Sequence, residues 1–551
     1  MTTMKSIAIS SGLLLPVALL LGVVCVESPE LPVGETAAQW AWFARTGVLF
    51  AVCTWIALFV YRKEGNVSVV FCEVVVWVLI LLGAFEAVLG LRQLYGFTSS
   101  NHTLFALTGS FFNPGPYSGY LAMIFPLCLN EWLRLREKKE KTWLETGGDY
   151  ISTGVLLLIC CVLPAGMSRS AWLAAAISGL WVCGMHYCWG RKIKKAWRQH
   201  RKWVLSITAA GFLCLLLGAA GLFHLKKDSA SGRLLMWKIS CLAIAERPVM
   251  GYGHGNFAAA YGKAQEAYFA GGDYSEQEEL VAGSPEYAFN EYLQVAMEWG
   301  ILALLSLLLL VGFCLWRGIT EGRIGACGGI ISLLVFAFSS YPLQLPVFIV
   351  TFGFLLAACV VGRSRIVLAV FAFVVGIAGV EQWRTNSYEA CREWTVCKMS
   401  YQSGAYEVAK EEYTKLYPEL KNRGAFLFEY GHCLHKLKEY EASNIILKEA
   451  ATRSCDPMIR NVIGKNYQQQ GAYDKAEEWL IRSTHLLPGR IYPYYLLAKL
   501  YAEPEFYHPE KMKQMADIVL TKEPKVQSTA VREMREEVRQ LKTDNLKHNI
   551  E

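Results

Sequence analysis

Three guanidinium groups and one imidazole stand out from a chain that is otherwise mostly apolar: Arg169 in SRSAW (168–172), Arg233 in SGRLLMWK (231–238), and Arg247 and His254 in ERPVMGYGHGNF (246–257). A guanidinium grips a phosphate or carboxylate through two parallel N–H bonds and keeps its charge at any working pH. An imidazole can take a proton from a hydroxyl near neutrality. Glu286, Asn290 and Glu291 follow in EYAFNEYLQ (286–294), and Asn113 sits in TGSFFNPGPYSGYLAM (108–123), where Gly, Asn and two prolines make an ordered turn before a helix. Asn113 could hydrogen-bond a sugar or phosphate, or simply start the helix. Arg169 could bind a phosphate, or snorkel at a helix end. His254 could be a ligand or base, or a hydrogen-bonded structural histidine. The three glycines around it are not a P-loop, since no GKS or GKT ending follows; they suit a backbone that approaches another surface. No zinc-type cysteine pairing is present. The acids of DYSEQEE (273–279) lack calcium-loop spacing and read as a solvated surface.

These residues need elements to hold them, and most of those elements are apolar. Of 551 residues 54% are apolar or aromatic, and a bilayer is crossed by about 20 apolar residues in a helix. Candidate spans are 6–26, 40–60, 67–90, 117–133, 150–166, 171–189, 203–223, 292–316, 324–341, 346–362 and 366–381, about eleven in all. The first follows Lys5 like a signal sequence, but without a convincing cleavage site it reads as a retained span. With the amino terminus in the cytoplasm, the basic clusters Arg62/Lys63, Arg134–Lys141, Arg191–Lys202, Arg317/Arg323 and Arg363/Arg365 all fall inside. The net charge of +7 is therefore topological and gives no sign of nucleic-acid binding. The long polar segment 225–291, where nine acids face six bases, then lies outside. Residues 1–381 form a polytopic membrane domain with this large outward loop.

Residues 382–551 are charged and helix-forming. Tyr406, Tyr440, Tyr473 and Tyr507 recur at spacings of 34, 33 and 34, and Gly431, Gly464 and Ala498 at 33 and 34. Small residues let two helices cross closely while the tyrosine fills the gap between pairs. This period, covering roughly 395–525, resembles the tetratricopeptide repeat, whose stacks offer a concave surface to peptides or proteins. Residues 526–545 would cap it. The fold class expected is all-α: a helical membrane bundle followed by a soluble α-solenoid. Most of the seventeen cysteines lie in apolar runs as small hydrophobes; Cys391, Cys397, Cys433 and Cys455 could pair if the tail is extracytoplasmic.

Outward-facing chemistry has no ATP or nucleotide sugar, so a transferase there needs a substrate that arrives activated. A polyprenyl diphosphate-linked sugar fits, with its tail among the spans and its diphosphate at the interface. Arginines at 169, 233 and 247 would neutralise the leaving group while a base accepts the acceptor's proton. The ordered set NP…GYLA, SRSAWLAA, R…W…RPVMGYGHGNF and FNEYLQ…EWGILALL resembles the O-antigen ligase / O-antigen polymerase / O-oligosaccharyltransferase superfamily over about residues 100–345. The resemblance implies a GT-C-like all-helical membrane fold in the bacterial inner membrane, with the repeat domain periplasmic. It implies transfer of a glycan from undecaprenyl diphosphate to lipid A core, another glycan or a protein hydroxyl, without a metal or other cofactor. Arg169 and Arg233 match positions that would hold the diphosphate, with Asn113, Arg247 and Asn290 as further binding residues. The family often has His-Asn before Glu-Tyr-Leu; here the pair is Phe289-Asn290. His254 or Glu291 could act as base instead, the arginines could act alone, or activity could be lost. The fused repeats favour a large acceptor or a protein partner, with lipid A core the first choice of acceptor. The competing classes are a lipid-linked polymer transporter, which would need ionisable residues mid-span and paired symmetry, and a membrane-anchored scaffold, which would not need Arg169 and Arg233.

Overall fold

The computed structural model describes residues 2–62, 67–202, 205–206, 227–362, 364–524 and 527–548. Among them every regular element is a helix. The expected span at 203–223 lies outside the described residues except for 205–206, as do Lys63 and Arg363.

Five described helices are long and apolar enough to cross a membrane: Ala37–Val60, Val67–Leu94, Trp143–Val162, Ile301–Thr320 and the run beginning at Arg365. A sixth results if Arg169–His186 and Trp189–Gln199, bent by 78° at their junction, count as one span. Several of the other candidate spans have features of their own. Ile324–Ala337 and Pro346–Val361 are apolar but short. Pro114–Arg136 buries polar Ser118 and Glu131. The run at 292–316 is divided at Gly300, φ +85°, between Glu291–Trp299 and Ile301–Thr320. Beyond the bend, Trp189, Ile193 and Trp197 alternate with Arg191, Lys192, Lys194 and Lys195, the pattern of a helix that lies in a membrane interface.

The chain divides into two compact units that do not follow its order. The first holds residues 1–217, 289–292 and 305–388. Its centre is Pro114–Arg136, which packs on Trp143–Val162, Arg169–His186, Ile324–Ala337 and Val67–Leu94. Gly119 makes the crossing with Ile324–Ala337 possible, because a Cβ there would lie 2.3 Å from the Phe336 ring. The segment before this helix is held by its neighbour in the bundle. Gln93 accepts from the N–H groups of Thr108 (2.9 Å) and Gly109 (2.7 Å), and buried Glu86 accepts from the Ser110 N–H (3.1 Å) and hydroxyl (2.6 Å). Glu86 thus has a fixed structural task, which differs from the mid-span charge of a transport path.

The second unit holds 218–288, 293–304 and 389–551. The long polar segment expected to face outward is therefore a folded body: helices Lys227–Glu246, Phe257–Ala270 and Glu276–Val281. Its core joins Leu235, Ile239 and Ala243 of the first to Phe257, Ala260, Tyr261 and Ala264 of the second, and it continues into Leu486 and Leu487 of the tail. The buried stripe of the first helix runs through Leu235, Ile239 and Ala243, while Leu242 is exposed. Arg233 lies inside this helix.

In the tail, helices Gly424–Lys436, Tyr440–Ala451, Pro457–Gln469, Tyr473–Leu486, Ile491–Leu500, Pro509–Thr521 and Thr529–His548 each pack on the next in chain order. Alternate helices Gly424–Lys436, Pro457–Gln469 and Ile491–Leu500 also touch. Gly431 faces Leu447 and Gly464 faces Leu480, with room for no Cβ (2.6 and 2.7 Å). Tyr406, Tyr440 and Tyr473 each start a helix, whereas Tyr507 precedes Pro509–Thr521 by two residues. Cys391, Cys397, Cys433 and Cys455 are buried free thiols, so no disulfide links them.

Candidate functional site

Each unit contributes its own set of candidate residues. In the first, Arg169 is the opening residue of Arg169–His186, after a turn in which Met167 adopts φ 48°. That turn is tight: a Cβ on Gly166 would lie 2.1 Å from the Ser118 hydroxyl. A half-buried guanidinium at the amino end of an 18-residue helix combines a full charge with the helix's own positive end. This arrangement can receive an anionic group. Asn113 caps Pro114–Arg136 by accepting the Gly115 N–H at 3.0 Å, so the helix-start reading holds and its amide N–H groups are the donors it can still offer. Beside it, Glu27, Glu35, Gln39, Asn101, Ser110 and Phe112 line a cleft of about 230 Å³, a set suited to hydroxyl-rich ligands.

The first unit also holds Asn290 and Glu291. Both are buried, Glu291 to 3% exposure. Asn290 accepts the Tyr292 N–H at 3.0 Å. Glu291 accepts the Leu343 N–H at 2.7 Å and the Gln344 amide at 3.1 Å, so its two oxygens fasten the turn at 342–345. Phe289, at φ 48°, sets its ring edge-on to Tyr341 at 5.0 Å. Glu291→Ala is expected to lower stability by about 2 kcal/mol, the cost of stranding a buried donor. Glu291→Gln keeps an acceptor for Leu343 and should retain both the fold and any transfer activity. Thermal unfolding of the purified variants beside a transfer assay checks both, and loss of transfer in a stable Gln variant would make Glu291 an acid–base group.

In the second unit the glycines of GYGHGNF do what their type suggests. Gly251, Gly253 and Gly255 have φ of 63°, 89° and 71°. The loop backbone they free lies along 297–301: Tyr252 N–H donates to Met297 O (2.9 Å), Gly253 N–H to Glu298 O (2.8 Å), and Ile301 N–H to Pro248 O (2.8 Å). Gly300 completes the closure, because a Cβ there would meet Val249 O at 1.9 Å. Gly300→Ala is expected to cost about 2 kcal/mol or more through strain and clash together, read as a fall in melting temperature of the purified protein.

That closure brings His254 to Glu298. The imidazole Nδ1–H donates to Glu298 Oε2 at 3.3 Å, and the ring stacks on Trp299 at 5.6 Å. Glu298 is buried, 4% exposed at its side chain, and accepts a second bond from Gln294 at 2.8 Å; the His254 side chain is 73% exposed. The hydrogen bond to Glu298 raises the His254 pKa from its ordinary 6.5, against the lowering effect of burial. A carboxylate that fixes one ring nitrogen leaves the other to exchange protons with a bound molecule. Glu298 was not singled out from the sequence. Its signal was its place in EWGILALL next to a span, which only the glycine-rich closure turns into a partner for His254.

Arg233 is half-buried on Lys227–Glu246. Arg247, just past that helix, stacks on the Tyr252 ring at 4.9 Å, and Tyr252 donates to Glu246 at 2.9 Å. The acidic stretch 273–279 is not simply solvated. Glu278 closes a capping box with Ser275 and pairs with Lys238 at 2.7 Å, which, with Ser275, depresses its pKa to about 2. Glu279 pairs with Lys522. Among the described residues no group of three or more His, Cys, Asp or Glu could hold a metal ion.

Residues 154–308 match the O-antigen ligase family model. The matched segment contains Arg169, Arg233, Arg247, His254, Asn290, Glu291 and Glu298. Over this segment the chain is similar to the O-antigen ligase family, and together with its apolar helices the match supports a multi-pass membrane protein of the O-antigen ligase and polymerase type of glycosyltransferase. A comparison with curated proteins finds no match.

Proposed function

We propose that this protein transfers a glycan from an undecaprenyl diphosphate carrier to an acceptor at the periplasmic face of the bacterial inner membrane, with lipid A core as the acceptor. Arg169 and Arg233 bind the diphosphate and stabilise it as it leaves. His254, oriented by Glu298, takes the proton of the acceptor hydroxyl through its second ring nitrogen. Arg247, Asn113 and Asn290 serve binding, and Glu291 holds the 342–345 turn. The observation that carries this reading is the His254–Glu298 pair inside the matched segment. It offers a candidate base in a chain that has Phe289 where the family it resembles often has a histidine. No metal or other cofactor is invoked.

The amino terminus is read as cytoplasmic, residues 1–381 as the membrane domain with its outward loop, and 382–551 as a tetratricopeptide-like repeat domain outside. The 34-residue period and the helices packed on chain neighbours support that last reading. Protein hydroxyls and growing glycan chains are the alternative acceptors. A repeat stack favours a protein partner, though part of its surface is already used by the chain's own loop. Transport of a lipid-linked polymer is a weaker reading, since Glu86 is engaged in holding Ser110.

Mass analysis of surface lipids and glycoproteins from cells with and without the gene tests the acceptor. Loss of glycan from lipid A core alone supports ligation. Loss from proteins, or shortened chains on an unchanged core, would replace it with the alternatives.

A further inference from the structure

The loop that carries Arg233 and His254 is tied to the tail by an ion triad that neither segment suggests alone. Glu266, on Phe257–Ala270, accepts from Arg460 Nη2 (2.8 Å) and Nε (3.1 Å) through one oxygen, and from Arg482 Nε (2.7 Å) through the other. The Arg460 side chain is only 5% exposed. Next to the triad, fully buried Gln265 donates to Leu486 O at 2.7 Å and Gly283 O at 3.0 Å. Gly262 lies so close to Cys455 that a Cβ would sit 2.6 Å from that side chain. Arg453 donates to Asn256 at 3.0 Å, two residues from His254.

Phe257–Ala270 is thus a middle layer. One side rests on Tyr473–Leu486 of the tail, and the other rests on Lys227–Glu246, the helix that bears Arg233. Lys238 bolts the second contact by donating to Tyr268 at 2.7 Å. Because a paired charge deprived of its partner inside a protein is costly, the triad resists small displacements of this layer.

We propose that the carboxyl-terminal helices act as a brace that fixes the outward loop, with Glu266 as the positioning residue through which the tail sets Arg233 and His254. Only the activity arm of this proposal rests on the glycosyltransferase reading; the docking arm does not. The tail in this view serves the reaction directly and is more than a platform for an outside partner.

The test uses the full-length protein in membranes or detergent, with Glu266→Ala, Glu266→Asp and Arg482→Ala. The last removes the more exposed arginine, so the protein still folds if Glu266→Ala does not. Hydrogen exchange is measured over Phe257–Ala270 and over Gly424–Ala451, a region away from the triad. Glycan transfer is followed by kcat and KM for the lipid-linked donor. Glu266→Ala and Arg482→Ala should speed exchange in Phe257–Ala270 about tenfold while Gly424–Ala451 is unchanged, and lower kcat about tenfold or more, the scale of a misplaced catalytic group. Glu266→Asp should fall between. Unchanged exchange would overturn the brace. Faster exchange with wild-type kcat and KM would overturn the positioning role. If wild-type protein transfers no glycan to any acceptor, the proposed function fails while the exchange result still decides the docking.

Discussion

Replacing Arg233 or Arg169 with alanine is expected to cut glycan transfer on the order of a hundredfold each, without loss of folded protein. The scale is that of removing one group aimed at charge that develops as a bond breaks. Cleavage of a sugar–diphosphate bond leaves negative charge on the pyrophosphate. In a site with little water a guanidinium offsets that charge far better than solvent does. Arg169 adds its charge to a helix amino terminus after a turn that has no spare room at Gly166. Arg233 is carried on a helix whose opposite stripe, Leu235, Ile239 and Ala243, is fully packed. Neither substitution removes a core side chain, so the variants should reach the membrane at normal levels by immunoblot. Lysine should restore only part of the rate at either place, because it keeps the charge and loses the two-pronged grip. A membrane scaffold would tolerate both alanines, and full transfer by the double variant would support that class instead.

His254→Gln is expected to lower the transfer rate by about a hundredfold to ten-thousandfold, the usual contribution of a positioned base. The pH dependence carries the sharper information. A base works only when neutral, and Glu298 raises the His254 pKa above 6.5. Transfer by the wild-type enzyme should therefore climb with pH through a midpoint above 6.5. Glu298→Gln removes the carboxylate, so the midpoint should drop while the Gln294 contact can be kept by the new amide. The stability linked to the pair has the opposite sense. A histidine whose pKa is raised on folding contributes fully below its unfolded pKa and loses that contribution as pH rises through the folded one. Unfolding measured from pH 5 to 8 should show the wild type losing its advantage over Glu298→Gln toward the alkaline end.

Local signals were legible in the sequence where one residue type admits few uses. The glycines at 251, 253 and 255 announced a close backbone approach, and the structure supplies the partner backbone at 297–301. Leu235 and Ile239 announced a packed helix face. The 34-residue spacing marked Gly431 and Gly464, both of which face a leucine too closely for any side chain. What stayed hidden was pairing between distant segments. Glu266, Arg460 and Arg482 are ordinary surface residues by type, and Glu266 lies 194 and 216 positions before the two arginines. Apolar length alone does not show where a helix ends: hydropathy averages over a break such as Gly300 and over a short helix such as Ile324–Ala337. Glu298 escaped notice because a lone acid beside a span gives no hint that a loop more than forty residues earlier will fold back on it.

The most direct test is reconstitution of the purified full-length protein in liposomes with a labelled glycan on undecaprenyl diphosphate and lipid A core as acceptor. The account predicts label on the lipid A core and release of undecaprenyl diphosphate in equal amount, both abolished by Arg169→Ala with Arg233→Ala. Persistent intact donor under these conditions, with core, protein and glycan acceptors each offered in turn, would contradict it.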